Sequence, residues 1–241
     1  MSAELTIATT ILNNAKEKMA TKGSAKVYGL PASMNCCGPI MLAFESGAGG
    51  MELCNIMEGA HKTPEYAQVN AYQLIPGLKD GDVCIGESCA ILRYLGLTYM
   101  PSAYPLNQPA LCARIDFAMD AFSDVYKFHR ETVYVTFGYS GPPADQKKAV
   151  ADYLAQCDKW LGTFVGEGPF VGGSGSPTIA DYKAVPFFFA AMQPACKKTI
   201  GLAMPPKVTA YVDAFCAAVK SSGFMSSAGG YSLKEYAATK M

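Results

Sequence analysis

Histidine is nearly missing from this chain: only His61 and His129 occur in 241 residues. There is no C-x-x-C, and none of the nine cysteines stands at zinc spacing from a histidine, which excludes the common zinc modules. Charge is scarce too. Asp, Glu, Lys and Arg make up 17% of the residues, against a usual ~25%. Basic and acidic residues balance at 20 each, so no net field draws nucleic acid or an anionic membrane. No apolar run reaches the ~18 residues of a membrane helix. The longest, Ala184 to Met192, has nine residues and contains Pro186. Two catalytic signatures are absent as well. Without G-x-x-x-x-G-K-S/T, the glycines of 172–175 are no phosphate loop, and without G-x-S-x-G the chain is no α/β-hydrolase.

What is present is apolar. Half the residues are hydrophobic, with 14 Tyr and 12 Phe, which excludes a disordered chain. The length suits one large domain or two small ones, with a core that needs neither metal nor disulfide. The cysteines are odd in number and scattered among aliphatics. They read as small reduced hydrophobes of a cytoplasmic protein.

Residues 1–25 stand apart as an extension. Leu5 to Leu12 is mildly apolar but holds three Thr and follows Glu4, unlike a secretory peptide. Lys16, Lys18 and Lys22 alternate with apolar positions, but Arg is missing and Glu17 intervenes, which argues against organelle targeting. A short helix packed on the body or on a partner is the expectation.

From Lys26 the texture changes. Lys26 to Leu30 reads as a strand ending at Pro31. Gly38-Pro39 opens a helix to Phe44, with proline in its first turn. Met51 to Ile56 is a second strand, and Thr63-Pro64-Glu65 starts a helical turn. Leu74 to Leu78 is a third strand interrupted by Pro76. Asp80-Gly81 is a hairpin turn, Val83 to Ile85 a fourth strand. Glu87 to Leu95 is a helix with Ala90, Ile91, Tyr94 and Leu95 on one face. This βαβ–hairpin–helix order over residues 26–97 predicts an α/β thioredoxin-like layer. Residues 98–108 read as a linker and 109–221 as an all-α domain. There, Leu111-Ile115-Ala118-Phe122-Val125-His129, Val150-Tyr153-Leu154-Cys157-Leu161-Phe164 and Val208-Tyr211-Val212-Phe215-Val219 follow helical spacing. Thr178 and Asp181 have capping-box spacing. Residues 222–241 read as a Ser/Gly-rich tail, loosely attached.

Residues 30–37, Leu-Pro-Ala-Ser-Met-Asn-Cys-Cys, join the first strand to a helix N-terminus. Helix amides and dipole there favour negative charge, and such surroundings lower a thiol pKa. The Ser33 hydroxyl could donate to a bound thiolate, or simply cap the helix; from this turn alone both stand. His129 reads as a packing residue.

The second half of this region carries a resemblance. The run Asn70…Ile75-Pro76-Gly77-Leu78…Asp80-Gly81-Asp82…Ile85…Glu87-Ser88…Ala90-Ile91…Tyr94-Leu95 resembles the N-terminal domain of the glutathione transferase family. Tyr28-Gly29-Leu30-Pro31-Ala32-Ser33 looks like the first strand and catalytic loop of its serine-type classes (theta, delta and epsilon). Thr178-Ile-Ala-Asp181, after Gly168-Pro-Phe-Val-Gly-Gly, is similar to its helical capping motif. The resemblance spans roughly 26–220. It implies a thioredoxin-like domain plus an all-α domain, and glutathione as co-substrate with no metal. Ser33 would be catalytic. Pro76 would be cis, with the Ile75 backbone on the cysteinyl part. Glu87 and Ser88 would hold the γ-glutamyl end, and Gln73 and His61 the glycine carboxylate. Tyr28 stands one position off the slot of the tyrosine-type classes, which is Gly29, and reads as a packing residue.

Cys37 and Cys89 depart from the family's pattern, standing where many serine-type members carry Arg. Cys36, three residues after Ser33, offers a possible redox role through a mixed disulfide with glutathione. Three functions therefore compete: conjugation of glutathione to a hydrophobic electrophile, a non-catalytic scaffold of the same fold, and a Cys36-based thiol oxidoreductase. Phe117, Asp120 and Tyr126 are candidates for the electrophile pocket. The resemblance also implies a homodimer, with contacts through 63–72 and 111–129, no nucleic acid and no membrane span.

Overall fold

The computed structural model describes residues 23–241; the expectations for the leading extension fall mostly on residues 1–22, outside the described residues. Two compact units divide the chain. The first runs to Pro101 and takes in Lys220–Glu235; the second comprises Ser102–Val219 and Tyr236–Met241.

In the first unit the elements are β1 (Ala25–Gly29), α1 (Met34–Glu45), β2 (Gly49–Leu53), α2 (Pro64–Ala67), β3 (Gly77–Asp80), β4 (Val83–Gly86) and α3 (Ser88–Tyr99). The sheet order is β2-β1-β3-β4. β1 and β2 are parallel, joined by the α1 crossover, while β3 runs antiparallel to β1 and β4. This is the thioredoxin-like order expected from the pattern. The hairpin turns at Gly81, whose φ of 58° suits a residue without a Cβ. Pairing starts upstream of the expected boundary: Gly23 N–H bonds Gly47 O at 3.1 Å and Ala25 N–H bonds Ala48 O at 3.1 Å.

Two helices differ from expectation. α1 begins at Met34, not at Gly38, because the Ser33 carbonyl already accepts the Cys36 and Cys37 amides at 2.9 Å. Pro39 therefore sits inside the helix rather than in its first turn. On α3 the buried face is Ile91, Leu92, Leu95 and Gly96, while Ala90 is exposed. Tyr94 lies at the border, where its hydroxyl donates to Asp80 at 2.9 Å; the Tyr99 hydroxyl donates to the same carboxylate oxygen. The helix runs on to Tyr99, into the expected linker, and Ala103 and Tyr104 beyond it are buried in the second unit.

The second unit is helical: α4 (Pro109–Arg130), α5 (Val133–Phe137), α6 (Gln146–Phe164), α7 (Ile179–Ala191), α8 (Pro194–Ile200) and α9 (Pro206–Ala218). Its core is aromatic. Phe122 meets Trp160, Phe187 and Phe188 edge-on with centroids 5.4, 5.2 and 5.8 Å away, the arrangement ring quadrupoles favour. His129 packs there, fully buried, its Nδ1 3.0 Å from the Tyr153 hydroxyl. Burial drives its pKa down to about 3. The Thr178–Asp181 pair caps α7 as expected: the Asp181 carboxylate accepts Thr178 N–H and Oγ1–H, both at 2.7 Å. It also accepts Val171 N–H at 3.0 Å and the Tyr211 hydroxyl at 2.6 Å. Burial pushes this carboxyl up, and the four donors pull it back.

The tail is not loose. A 3₁₀ turn spans Lys220–Met225, and a short helix, α10, spans Leu233–Ala238. Met225, Ser232 and Leu233 are fully buried. The Ser/Gly composition hid three good anchors, Phe224, Met225 and Leu233. Among the described residues no helix is long and apolar enough to cross a membrane.

Candidate active site at one end of the sheet

Strand register places the site. Glu52 pairs with Tyr28, Tyr28 with Gly77, and Gly77 with Gly86. This row closes one end of the sheet. Just beyond it the chain leads to Ser33 after β1 and toward His61 after β2. At the same end it arrives from Ile75-Pro76 before β3 and departs to Glu87-Ser88 after β4. Residues spread over 56 positions thus share one rim because period-two pairing fixes where each strand stops.

Ser33 is the N-cap residue of α1, with φ −86° and ψ 119° and a partly exposed side chain. Its hydroxyl makes no capping hydrogen bond. Of the two roles open to it, capping is thus not the one it plays, and the hydroxyl sits at the positive end of a 12-residue helix. Cys36 is on the same turn but fully buried. A methyl group added to Gly29 would come within 2.9 Å of its Cβ and Sγ. The thiol is sealed between α1 and β1, which removes the access that a mixed disulfide requires. Cys37 is fully buried as well, and all nine cysteines are thiols rather than disulfides.

The Ile75–Pro76 bond is cis, as expected. The segment before it is held by two residues that sequence reasoning gave no role. The Tyr66 hydroxyl and the Asn70 side-chain amide both donate to Leu74 O at 2.7 Å. Burial pushes the Tyr66 hydroxyl well above its usual pKa, so it stays a donor. Asn70 also accepts Tyr72 N–H at 3.1 Å, and its carbonyl accepts Gln73 N–H at 2.8 Å. An Asn seven residues after Thr63-Pro64 could have been read as a turn former, but its reach to Leu74 is a tertiary fact. Tyr28 packs edge-on against Tyr66, centroids 6.1 Å apart, as a strand residue rather than a site residue.

Among the described residues, two non-glycine residues have positive φ, Gln73 at 51° and Glu87 at 61°. Both are site candidates. Such conformations persist where neighbours over-determine them, and they gather at functional sites. Lys62 Nζ donates to Gln73 O at 3.1 Å. Glu87 is exposed at the N-terminus of α3, and Ser88, its first residue, is buried. His61 lies on a 3₁₀ turn, Ala60–Lys62. Its Nδ1 finds no hydrogen-bond partner. Desolvation, then the Lys62 charge, lowers its pKa, so the ring is neutral at pH 7. Among the described residues no cluster of His, Cys, Asp or Glu could hold a metal.

A thioredoxin-like layer with a cis-proline, a hydroxyl at the first helix N-terminus and a Glu-Ser pair at another is the arrangement expected from the sequence resemblance. Comparison with known proteins agrees. Residues 23–96 match the glutathione S-transferase N-terminal domain. Glutathione S-transferase 2 of Anopheles gambiae is 30% identical over 192 residues, covering 75% of this chain and 84% of that protein. Human glutathione S-transferase theta-2 is 30% identical over 146 residues, 54% of this chain, and that match spans little more than half of the human protein, 56%. Among solved structures, a Bombyx mori glutathione transferase superposes with a TM-score of 0.72 at 25% identity, covering 92% of this chain and all of the other. Human theta-2, solved in complex with glutathione, gives 0.70 at 22% identity, covering 90% and 92%. The chain belongs to the glutathione S-transferase family. Its fold is that of the family, a thioredoxin-like domain and a helical domain.

Proposed function

We propose that this protein is a glutathione transferase of serine type, which binds glutathione at the sheet end and uses its sulfur to attack a hydrophobic electrophile. The observation that carries this reading is the Ser33 hydroxyl: it leads α1, is spared from capping, and shares the sheet end with the other candidate residues. The Ile75 backbone pairs with the cysteinyl part of the tripeptide. Glu87 takes the ammonium of the γ-glutamyl end, and Ser88 with the α3 N-terminus takes its carboxylate. His61 and Gln73 take the glycine carboxylate. That places the thiol at Ser33, where the hydroxyl donates a hydrogen bond to the sulfur. Hydrogen bonding and the α1 dipole both stabilise the thiolate over the thiol, so the sulfur is charged and nucleophilic near neutral pH. The thiolate attacks the electrophile, a carbon–sulfur bond forms, and the leaving group departs with the electron pair.

Conjugation of glutathione to an aryl halide tests this. Ser33→Ala is expected to lower kcat by roughly 10²-fold, the usual cost of one preorganised donor to an anion, and to change glutathione affinity little. A Ser33→Ala enzyme with near-normal kcat would refute the assignment. The partner we propose is a second copy of this chain. Tyr72, 81% exposed within the 63–72 segment, and Phe117, 60% exposed on α4, are large apolar groups on the surfaces the family uses for pairing.

A further inference from the structure

We infer that residues 220–235 are a brace for α1, and that Ser221 and Phe224 are positioning residues for thiolate formation at the far end of that helix. The inference rests on the reading of Ser33 given above, and concerns what holds Ser33 in place.

Ser221 grips the last turns of α1 at two points. Its hydroxyl donates to Met41 O at 2.9 Å, and its N–H donates to the Glu45 carboxylate at 2.9 Å. Ser221 is buried. Three residues on, the Phe224 ring lies against Phe44, centroids 4.7 Å apart and planes tilted by 34°. Met225, the next residue, is fully buried. The remainder of the segment closes on itself. The Glu235 carboxylate accepts Ala228 N–H at 2.9 Å and Ser232 N–H at 3.0 Å, while Ser232 Oγ accepts Glu235 N–H at 3.1 Å. This part of the chain joins α1 across about 180 positions of sequence, yet meets it with two hydrogen bonds and a ring pair.

α1 needs such a brace because its own ladder is interrupted. Pro39 has no N–H to donate, so the helical ladder has a gap between the first turn and the rest of the helix. Ser33 rides on that first turn. From the strand side the turn is set by Cys36 packed against Gly29, where there is no room for one more methyl group. The other end of α1 is set by Ser221 and Phe224. Removing the second anchor lets the helix shift along its axis, and Ser33 and the helix N-terminus shift with it. Both act on the sulfur over a short range, so a small displacement weakens thiolate stabilisation. The residues proposed for the rest of glutathione belong to other elements, so affinity is not the property that suffers.

The experiment measures three things in wild type, Ser221→Ala, Phe224→Ala and Phe224→Leu: glutathione Kd by calorimetry, the pKa of bound glutathione from thiolate absorbance, and the pH profile of aryl-halide conjugation. Tyr99→Phe, which loses a hydrogen bond to Asp80 away from α1, is the control for a general loss of stability. The expected result is a bound-thiol pKa raised by about half a unit in Ser221→Ala and Phe224→Ala, the scale of a helix-terminus interaction. At pH values below that pKa, kcat/KM falls about threefold, and recovers at higher pH; Kd stays within about twofold. Phe224→Leu, which keeps apolar contact with Phe44, lies between these variants and wild type, and answers the question should Ser221→Ala fail to fold. If the variants melt earlier, as Tyr99→Phe does, but keep the wild-type thiol pKa and pH profile, the brace is overturned. If wild type itself shows no thiolate absorbance with glutathione, the catalytic reading of Ser33 fails, and the brace falls with it.

Discussion

Ser88 and Ser33 illustrate how the same side chain takes different work from its place in the chain. Each stands at a helix start, but in the proposed binding mode Ser33 meets the reacting sulfur and Ser88 the far end of the tripeptide. Groups that hold the γ-glutamyl end bind ground and transition states alike. Ser88→Ala is therefore expected to raise KM for glutathione several-fold with kcat retained, read from saturation curves at fixed electrophile; a collapse of kcat at saturation would show that the role is misassigned. His129 makes a separate statement about pH. Its folded pKa, about 3, lies below the unfolded value near 6.5, so the unfolded chain takes up a proton first. The stability that neutral His129 carries is complete above about pH 6.5 and is lost as pH falls toward 3, by about 1.4 kcal/mol per pH unit within that window. Urea midpoints at pH 7 and pH 5 measure this. His129→Gln, which removes the titrating group, is expected to flatten the dependence.

Elements position the site through close backbone approach. A Cβ on Gly86 would lie 2.6 Å from the Asn70 side-chain nitrogen, the atom that holds Leu74 O. Gly86→Ala is expected to push Asn70 aside, release the segment before Pro76, and cost about 1–3 kcal/mol of stability together with glutathione affinity. Thermal melts and calorimetric titration check both; unchanged affinity would separate Asn70 from the site. Much at this scale was legible in sequence. The order of the four strands, the hairpin turn and the three long amphipathic helices follow from residue patterns, and the Thr178–Asp181 cap from its spacing. However, β2 lies at Gly49–Leu53 rather than Met51–Ile56, and β3 starts at Gly77, after the cis-proline, rather than at Leu74. The α1 start was not legible, because Pro39 is the strongest local signal and marks a position inside the helix. The Ser33 carbonyl, taken by two amides, overrides it. The rotation of α3 was also hidden: Tyr94 is apolar enough to read as core, yet its hydroxyl goes to Asp80 at the border.

At the scale of the whole molecule, low charge and exposed Tyr72 and Phe117 fit a protein that pairs with itself. Light scattering at micromolar concentration is expected to give a mass near twice 25.6 kDa. Since Gly23 already bonds Gly47 and Ser24 bonds Asp80, the cut that spares the fold lies before Gly23. A chain lacking residues 1–22 is expected to keep both the dimer mass and glutathione binding; a monomeric or precipitating product would assign the extension to the assembly.

The sequence by itself determined the two-layer plan, the family resemblance, and the residues proposed for glutathione, since strand periodicity and short motifs are local properties. Only the tertiary structure decided how those residues are presented. It left the Ser33 hydroxyl uncapped and sealed Cys36 under β1. It brought Tyr66 and Asn70 onto Leu74, and it folded the tail onto α1. Each of these depends on contacts between residues far apart in sequence, where packing volume and hydrogen-bond satisfaction, rather than local periodicity, set the outcome.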